Sequence, residues 1–296
     1  MSELHLACAA DAAYVPHSAA MLHSVITHGG EPVVVHYLHG PRFPHRKAQK
    51  LERMFVGHPA EIVFHEIPDR QLGGLPLDHR FGPAMWYRIF LPELLPELTQ
   101  ILYLDVDTLV TDTLDPLWDT ALDECFLAAV TNVFMEYHRH RAPELGIDMT
   151  DYFNSGVLMF NLAAMRTEDF AERLVDVVRQ KGSQLLWPDQ DALNLITGPR
   201  WVRLHPRWNV MNSFATMPQL AADVFGPQRL GEAIGDPAVR HFEGPGLNKP
   251  WHARHEGPDQ QLYREHRQAS PWPRVRLEGN SPLARLRRAL GDREET

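Results

Sequence analysis

The chain has 296 residues, of which 44% are hydrophobic, and its formal net charge at pH 7 is −9. A chain of this size can bury a core without disulfide bridges, as one large α/β domain or as two smaller ones. The negative charge argues against general nucleic-acid binding, which needs a basic surface.

Cys8 and Cys125 are the two cysteines of the chain, and both lie in apolar segments. Buried thiols in a reducing compartment fit this pattern better than an extracellular disulfide scaffold, and a single intramolecular bridge stays open as the alternative. The amino terminus carries no basic region followed by a long apolar stretch, and no window approaches the roughly 20 apolar residues of a spanning helix. We therefore expect a soluble, cytoplasmic protein.

The first hundred residues alternate between strand patterns and helix patterns. Apolar, β-favouring runs predict strands over 4–10, 32–38 and 61–65, while helical spacing predicts helices over 15–27 and 45–55. This alternation is typical of a Rossmann-like, mostly parallel sheet with crossover helices. Because neither G-x-G-x-x-G nor a Walker A sequence is present, any diphosphate must be held in another way.

The next predicted strand, over 101–104, ends in Asp105-Val106-Asp107, and another β-favouring stretch follows over 108–111. Open α/β sheets bind ligands at the carboxyl ends of their strands. Two carboxylates separated by one residue at such a turn can hold a hard divalent cation and leave positions open for phosphate oxygens. The pair predicts metal-assisted chemistry on a phosphorylated substrate, although a D-x-D triplet alone also occurs on solvated turns and helix N-termini.

The second half of the chain continues the α/β pattern. A strand is predicted over 158–160, an amphipathic helix over 168–180, and a further helix that opens at Pro188. The segments 69–83 and 137–151 are rich in glycine, proline or charge, and we expect them to be either mobile covers of a site or ordinary surface loops.

The last forty residues change character, with prolines at 271, 273 and 282 and arginines at 274, 276, 285, 287 and 288. Ser281-Pro282 is expected to cap a short helix that carries leucines at 283, 286 and 290 on one side and arginines elsewhere. This pattern suits peripheral contact with the anionic inner face of a membrane and, equally, docking on the protein's own domain. We therefore divide the chain into a domain over 1–255 and a helical, basic tail over 256–296.

Several further motifs follow one another in order. They are Ala9-Ala10-Asp11 with Tyr14, Tyr87-Arg88, Tyr152-Phe153-Asn154-Ser155-Gly156, Asp189-Gln190-Asp191, Arg207-Trp208-Asn209, and His241-Phe242-Glu243-Gly244 running into Lys249-Pro250-Trp251-His252. Each motif alone has a structural explanation such as capping, packing or solvation. Together with Asp105-Val106-Asp107, and over residues 4–255, they resemble glycosyltransferase family 8, a family of retaining GT-A enzymes.

The resemblance implies an α/β fold of GT-A type, a Rossmann-like mixed sheet flanked by helices, with a C-terminal appendage. It implies Mn²⁺, with Mg²⁺ as an alternative, held by residues matching Asp105, Asp107 and His241. It also implies a UDP-sugar donor, usually UDP-glucose or UDP-galactose. The donor and its metal would contact Ala9, Ala10, Asp11, Tyr14, Asp105, Val106, Asp107, Ser155, His241, Gly244 and Lys249. Two carboxylates and one imidazole suit manganese chemically.

The same resemblance assigns the catalytic side. Asn154 and Asp189 match residues that bind sugar hydroxyls, and Gln190 matches the residue nearest the reacting face. Arg88 would reach either the phosphate or the carboxylates beside the sugar. Retention by front-face substitution is the expected mechanism, with a double displacement as the alternative. The acceptor is expected to be a glycan, a lipid-linked glycan, a small molecule or a protein.

Two other functions stay open at the level of sequence. Asp105-Val106-Asp107 after an apolar strand also satisfies the first motif of haloacid-dehalogenase-type phosphatases, although that motif normally ends the first strand of its domain. The second alternative is a protein that binds a nucleotide sugar without transferring it.

Overall fold

The computed structural model describes residues 3–30, 32–77, 82–255, 258–274 and 277–281. Its strands are β1 Leu4–Ala9, β2 Val33–His39, β3 Ala60–Glu66, β4 Gln100–Leu104, β5 Thr108–Val110, β6 Leu127–Thr131, β7 Phe153–Asn161, β8 Trp201–Arg203, β9 Val210–Met211 and β10 Val239–His241.

The α-helices are α1 Val15–His28, α2 His45–Phe55, α3 Leu91–Leu94, α4 Asp115–Trp118, α5 Arg141–Glu144, α6 Leu162–Thr167, α7 Phe170–Lys181, α8 Pro188–Thr197, α9 Asn212–Thr216, α10 Pro218–Phe225, α11 Pro227–Gly235 and α12 Pro258–Ala269. Short 3₁₀ helices join some of these elements, and the longest of them is Pro83–Phe90.

A seven-stranded mixed sheet forms the centre of the fold, in the order β3-β2-β1-β4-β7-β6-β8. Strands β3, β2, β1 and β4 are parallel, whereas β7 runs antiparallel to both β4 and β6. This arrangement is the Rossmann-like mixed α/β sheet that the sequence predicts. The carboxyl ends of β1, β2 and β4 therefore lie at one edge of the sheet, where ligands bind in such folds.

Both faces of the central strands are buried, which explains their nearly continuous apolar sequences. Leu6 and Cys8 of β1 pack in one apolar cluster together with Leu102 and Leu104 of β4. The alternate residues, such as Tyr103, pack in a second cluster on the other face. The period-2 alternation of a strand thus divides one apolar run between two cores.

A three-stranded sheet, in the order β5-β10-β9, lies beyond the end of β4. Strand β10 is antiparallel to β5, with His241 opposite Thr108, and parallel to β9, with His241 opposite Met211. This register places His241 next to the Asp105-Val106-Asp107 turn, although more than 130 residues separate them in the chain.

The predicted strands and helices before residue 200 are confirmed, with ends that shift by one or two residues in most cases. The strand predicted over 158–160 is longer, because it begins at Phe153. Cys8 and Cys125 are both free thiols; Cys8 is buried as predicted, whereas Cys125 is only partly buried.

Residues 137–151 are not an open loop. They contain α5 and two 3₁₀ turns, and the buried Arg141 donates to Asp191 at 2.5 and 3.1 Å. Tyr152 and Phe134 pack beneath this segment, with ring centroids 4.9 Å apart. A buried ion pair and an aromatic core thus fix the segment to the amino-terminal end of α8.

Helix α12 packs against α1. The His17 and Tyr263 side chains are hydrogen-bonded at 2.6 Å, and His17 stacks on Trp251 at 3.9 Å. The tail helix predicted to begin at Ser281-Pro282 lies outside the described residues. Among the residues described, no helix is both long and apolar enough to cross a bilayer.

Candidate active site

The Asp105-Val106-Asp107 segment forms the turn between β4 and β5. The backbone N–H of Asp105 donates to Gly156 O at 2.8 Å, and both the N–H and the hydroxyl of Thr108 donate back to Asp105 O. These bonds hold the turn against the middle of β7 and leave both carboxylates at the edge of the sheet. Val106, between them, packs partly against the core.

Asp105, Asp107 and His241 come together at this edge. One potential ligand atom from each residue lies within 4.8 Å of the other two, and His241 Nε2 is 3.4 Å from Asp107 Oδ1. Two carboxylates and one imidazole are a donor set that suits manganese and other divalent ions. We refer to these three residues as the metal-ligand cluster.

The charges of this cluster are coupled. Burial opposes protonation of His241, but the carboxylates of Asp107, Glu243 and Asp105 together outweigh burial and raise the pKa of the ring, with Asp107 contributing most. Burial alone would raise the pKa of Asp107, yet Lys249 and His241 together hold it well below its usual range. Asp107 is therefore ionised at neutral pH, as a metal ligand must be.

Gly156 provides the space for the imidazole. A Cβ on this residue would overlap the ring of His241. The glycine in the middle of a strand is thus explained by the close approach of another side chain.

Lys249 is the cation nearest to Asp107. Its ammonium group forms an ion pair with the Asp107 carboxylate and donates to Phe242 O at 2.8 Å. The turn that leads to Lys249 begins at Gly244, which has a φ of +85°, and a Cβ there would overlap the Asn248 amide. The cation therefore stands where a diphosphate bound beside the metal-ligand cluster would need positive charge.

Arg88 is buried and joins two acidic residues. Its guanidinium donates to Asp105 Oδ1 at 2.8 Å and to Ser155 O at 2.6 Å, and it lies 3.4 Å from Asp189 Oδ2. The sequence analysis left two positions open for Arg88, at the phosphate or at the carboxylates beside the sugar. In the structure the guanidinium lies at the carboxylates of Asp105 and Asp189. Burial raises the pKa of Asp189, and Arg88 opposes this effect.

Gln190 is held in place by Ser155 of β7 and by Tyr152, which directly precedes that strand. Its Oε1 accepts from the backbone N–H of Ser155 at 2.9 Å, and its Nε2 donates to the Tyr152 hydroxyl at 3.3 Å. An amide fixed at both ends is not a strong nucleophile. Gln190 can instead present partial negative charge to a cationic centre.

Asp191 is completely buried, and both oxygens of its carboxylate accept hydrogen bonds. Arg141 and the backbone N–H groups of Leu186 and Trp187 donate to its Oδ2, and the Tyr152 hydroxyl donates to its Oδ1. Asp191 therefore anchors the start of α8 and the 137–151 segment. Neither Arg141 nor Tyr152 was recognised from the sequence as a partner of Asp191.

Asp11 and Tyr14 lie at the carboxyl end of β1. Asp11 Oδ1 accepts from the backbone N–H groups of Ala13 and Tyr14, which forms a tight turn after the buried Ala9 and Ala10. A cavity of about 170 Å³ adjoins Asp11 and is lined in part by Gly40, Phe43, Asp69 and Tyr87. The Tyr14 ring meets Trp251 edge to face at 6.1 Å, which connects this turn to the segment that carries Lys249.

Asn154 faces inward from β7. Its Oδ1 accepts from Gly156 N at 3.0 Å and from Asn209 Nδ2 at 2.9 Å, and its own amide donates to Asn132 at 3.2 Å. Asn209 and Gly156 are two further residues of the site that were not among the predicted site residues. Both occur in motifs noticed in the sequence, but only the paired strands reveal that they contact His241.

The structure thus brings the metal-ligand cluster, Lys249, Arg88, Asp189 and Asn154 to the carboxyl end of β4, beside the amino-terminal half of the antiparallel β7. The model of "Glycosyl transferase family 8" matches residues 5–255. General stress protein A of Bacillus subtilis is 26% identical over 276 residues, which cover 91% of this chain and 94% of that protein. Lipopolysaccharide glucosyltransferase WaaO of Escherichia coli is 25% identical over 233 residues, 76% of this chain and 66% of that one.

A solved structure of the galactosyltransferase LgtC, in complex with donor and acceptor sugar analogues, superposes with a TM-score of 0.81. It is 26% identical, and the match covers 90% of this chain and 96% of that chain. The haloacid-dehalogenase alternative is excluded by these matches and by the position of the acidic pair after the fourth strand of the chain. GT-A glycosyltransferases use a divalent metal and a nucleotide-sugar donor. The chain therefore belongs to glycosyltransferase family 8 and is a hexosyltransferase built on the GT-A fold.

Proposed function

We propose that the protein transfers glucose or galactose from a UDP-sugar to an acceptor hydroxyl, with retention of anomeric configuration and with Mn²⁺, or alternatively Mg²⁺, in the metal-ligand cluster. The observation that carries this proposal is the convergence of Asp105, Asp107 and His241 beside Lys249. The three ligands offer a divalent cation two carboxylates and one imidazole, and Lys249 offers a second positive charge to a diphosphate.

The reaction must stabilise a departing diphosphate while positive character grows at the anomeric carbon. A bound divalent ion would supply charge to the leaving diphosphate. Lys249 exchanges its ion pair with Asp107 for the phosphate oxygens of the donor, and Arg88 keeps Asp105 and Asp189 oriented. Gln190 Oε1 and the Asp189 carboxylate face the sugar and stabilise the cationic centre.

The bond between the anomeric carbon and the diphosphate oxygen breaks as the acceptor oxygen bonds to the same face of that carbon. The acceptor proton passes to the departing phosphate oxygen, so no separate base is needed. The full engagement of Asp191 and the ion pair between Asp189 and Arg88 support this front-face course over a double displacement. Trapping of a covalent sugar on Asp189 or Asp191 under native conditions would refute it.

The acceptor is a glycan, a lipid-linked glycan or a small molecule that approaches past the 132–151 segment. We place this reaction in the cytoplasm, with peripheral contact at the inner membrane face through the tail. That contact stays a prediction, because the predicted tail helix lies outside the described residues.

A screen of UDP-sugars for Mn²⁺-dependent hydrolysis tests the proposal. We expect one UDP-hexose to be hydrolysed in the absence of acceptor, and Asp107→Ala to lose this activity by at least about 10²-fold because an essential metal ligand is removed. Asp223→Ala, which changes an exposed aspartate on α10, is the matched control. Equal hydrolysis by the wild type and Asp107→Ala would contradict the proposal, as would hydrolysis that does not depend on a divalent ion.

A further inference from the structure

Four buried polar side chains form a continuous hydrogen-bonded row that leads away from the metal-ligand cluster. His241 Nδ1 lies 2.9 Å from Asn209 Oδ1, Asn209 Nδ2 donates to Asn154 Oδ1 at 2.9 Å, and Asn154 Nδ2 donates to Asn132 Oδ1 at 3.2 Å. Asn209 is completely buried, and no member of the row is more than 9% exposed. We call these four residues the amide row.

One backbone group determines the direction of every hydrogen bond between Asn154 and His241. The N–H of Gly156 can act only as a donor, and it meets Asn154 at 3.0 Å, so the atom of Asn154 at this point must be the carbonyl oxygen. The Asn209 atom that meets the same oxygen must then be its NH₂ group. The other end of Asn209 is consequently an acceptor.

An acceptor at Asn209 Oδ1 requires a proton on His241 Nδ1. In the neutral ring, Nε2 is then the nitrogen with the free electron pair, and this nitrogen lies on the side of Asp107, 3.4 Å from its Oδ1. Gly156 acts twice in this arrangement: its N–H sets the direction of the bonds, and its missing Cβ leaves room for the ring.

We propose that Asn209 is a positioning residue that holds His241 as the Nδ1–H tautomer, with the Nε2 electron pair directed at the divalent cation. A buried amide here takes the place that a carboxylate or a backbone carbonyl commonly takes beside a metal-binding histidine. The inference rests on the proposed function, because it concerns the same cation site. It adds to that function the residue that selects the ligating nitrogen.

The tautomer can be measured without any metal. Two-dimensional ¹H–¹⁵N spectroscopy of the histidine side chains, recorded on metal-free protein at an alkaline pH where the rings are neutral, distinguishes a protonated Nδ1 from a protonated Nε2. The signals of His241 are assigned by their absence in His241→Gln. We expect Nδ1–H for His241 in the wild type. A proton on Nε2 in the wild type would overturn the inference, and this result needs no further variant.

Variants of Asn209 give an independent readout. We expect Asn209→Ala to bind Mn²⁺ in the presence of UDP about 10- to 100-fold more weakly, as measured by electron paramagnetic resonance of the free ion. Asn209→Asp still accepts from Nδ1 with one carboxylate oxygen but loses the donor to Asn154 Oδ1, so we expect it to keep the tautomer and to recover part of the affinity. Asn194→Ala is the matched control for Mn²⁺ binding, because Asn194 is similarly buried but bonds to the backbone of Phe153 and Gln190 and to no member of the metal-ligand cluster.

Unchanged Mn²⁺ affinity in Asn209→Ala would contradict the role of Asn209, and so would an equal loss in Asn194→Ala. A wild-type protein that binds no Mn²⁺ with UDP would instead contradict the proposed function. The two failures are thus distinguishable, since the tautomer measurement does not depend on the metal.

Discussion

Two of the regions in which this protein buries a histidine shift the pKa of the imidazole in opposite directions. In the metal-ligand cluster, the carboxylate of Asp107 raises the pKa of His241 despite burial. Across the neighbouring strands β1, β2 and β3, the rings of His5, His36 and His65 form a second row, with nitrogen-to-nitrogen distances of 3.0 and 2.9 Å. Here burial, followed by the neighbouring His65 and His5, lowers the pKa of His36 to about 3.

The comparison shows that burial does not decide what a histidine does. His36 is 6% exposed and His241 is 3% exposed, so the two rings are similarly shielded from water. His241 has anionic neighbours that favour a nearby cation, whether a proton or a metal ion, whereas the partners of His36 are other imidazoles. The surroundings of His241 therefore favour a positive charge, whereas those of His36 favour the neutral ring.

The largest expected effect comes from displacing the imidazole of the metal-ligand cluster. In Gly156→Ala, the added methyl group would overlap the His241 ring, which must then leave its position beside Asp107. We expect kcat/KM for UDP-sugar hydrolysis to fall by at least about 10²-fold, with a parallel loss of Mn²⁺ affinity.

Gly231→Ala is the control for this substitution, because a Cβ there meets nothing within 4 Å and Gly231 lies in α11. Steady-state kinetics over a range of Mn²⁺ concentrations provide the measurement. If Gly156→Ala retained the activity and metal affinity of Gly231→Ala, His241 would not be a ligand in the position described.

Lys249→Met is expected to have a smaller effect, which changes the affinities for Mn²⁺ and for UDP in opposite directions. Lys249 neutralises Asp107 in the absence of donor, so its removal leaves a half-buried carboxylate without that cation. We expect Mn²⁺ alone to bind more tightly and UDP to bind about 10-fold more weakly, since the diphosphate loses a charged hydrogen bond. Isothermal titration with Mn²⁺ and then with UDP separates the two effects.

Lys50→Met, which changes an exposed lysine on α2, should alter neither titration. Weaker binding of Mn²⁺ by Lys249→Met would mean that Lys249 supports the cluster rather than competing with a cation for Asp107. Unchanged UDP binding would remove Lys249 from the diphosphate site.

Much of the fold could be predicted from the sequence because local patterns determine it. The alternation of apolar strands and amphipathic helices located β1 to β4 and α1, α2, α7 and α8. The position of Asp105 and Asp107 followed from the strand before them, since the carboxyl end of a buried strand is where such a sheet exposes ligands.

The remaining features depend on contacts between distant segments. No local pattern indicates that Gly156 must lack a side chain because His241 lies against it, or that Arg141 neutralises Asp191 across 50 residues. The resemblance to the family named His241 as a ligand, but the nitrogen that it presents depends on Asn209 and on the N–H of Gly156. These contacts are set by the pairing of β10 with β5 and β9, which sequence patterns do not specify.

The smallest expected effect tests the neutral region and concerns stability. An unfolded histidine binds a proton below a pH of about 6.5. The folded protein resists protonation of His36 until about pH 3, so the unfolded state takes up more protons between these values. Stability is therefore complete above about pH 6.5 and decreases as the pH falls towards 3, by up to about 1.4 kcal/mol per pH unit for this residue.

The charged groups around His5, His36 and His65 do not reverse this decrease of stability with falling pH. Glu3 lies 3.7 Å from His5, and Glu97 raises the pKa of His65, but burial still leaves the pKa of His65 lowered overall.

We expect His36→Leu to lose less stability than the wild type between pH 7.5 and 5.0 in urea unfolding, whereas His140→Leu, at a side chain that is 60% exposed, should follow the wild type. The decrease that persists in His36→Leu is assigned to the other histidines whose pKa burial lowers, among them His65, His17 at about 3 and His266 at about 4. Identical slopes in the wild type and His36→Leu would show that His36 accepts a proton in the folded state, and the contrast with His241 would then fail.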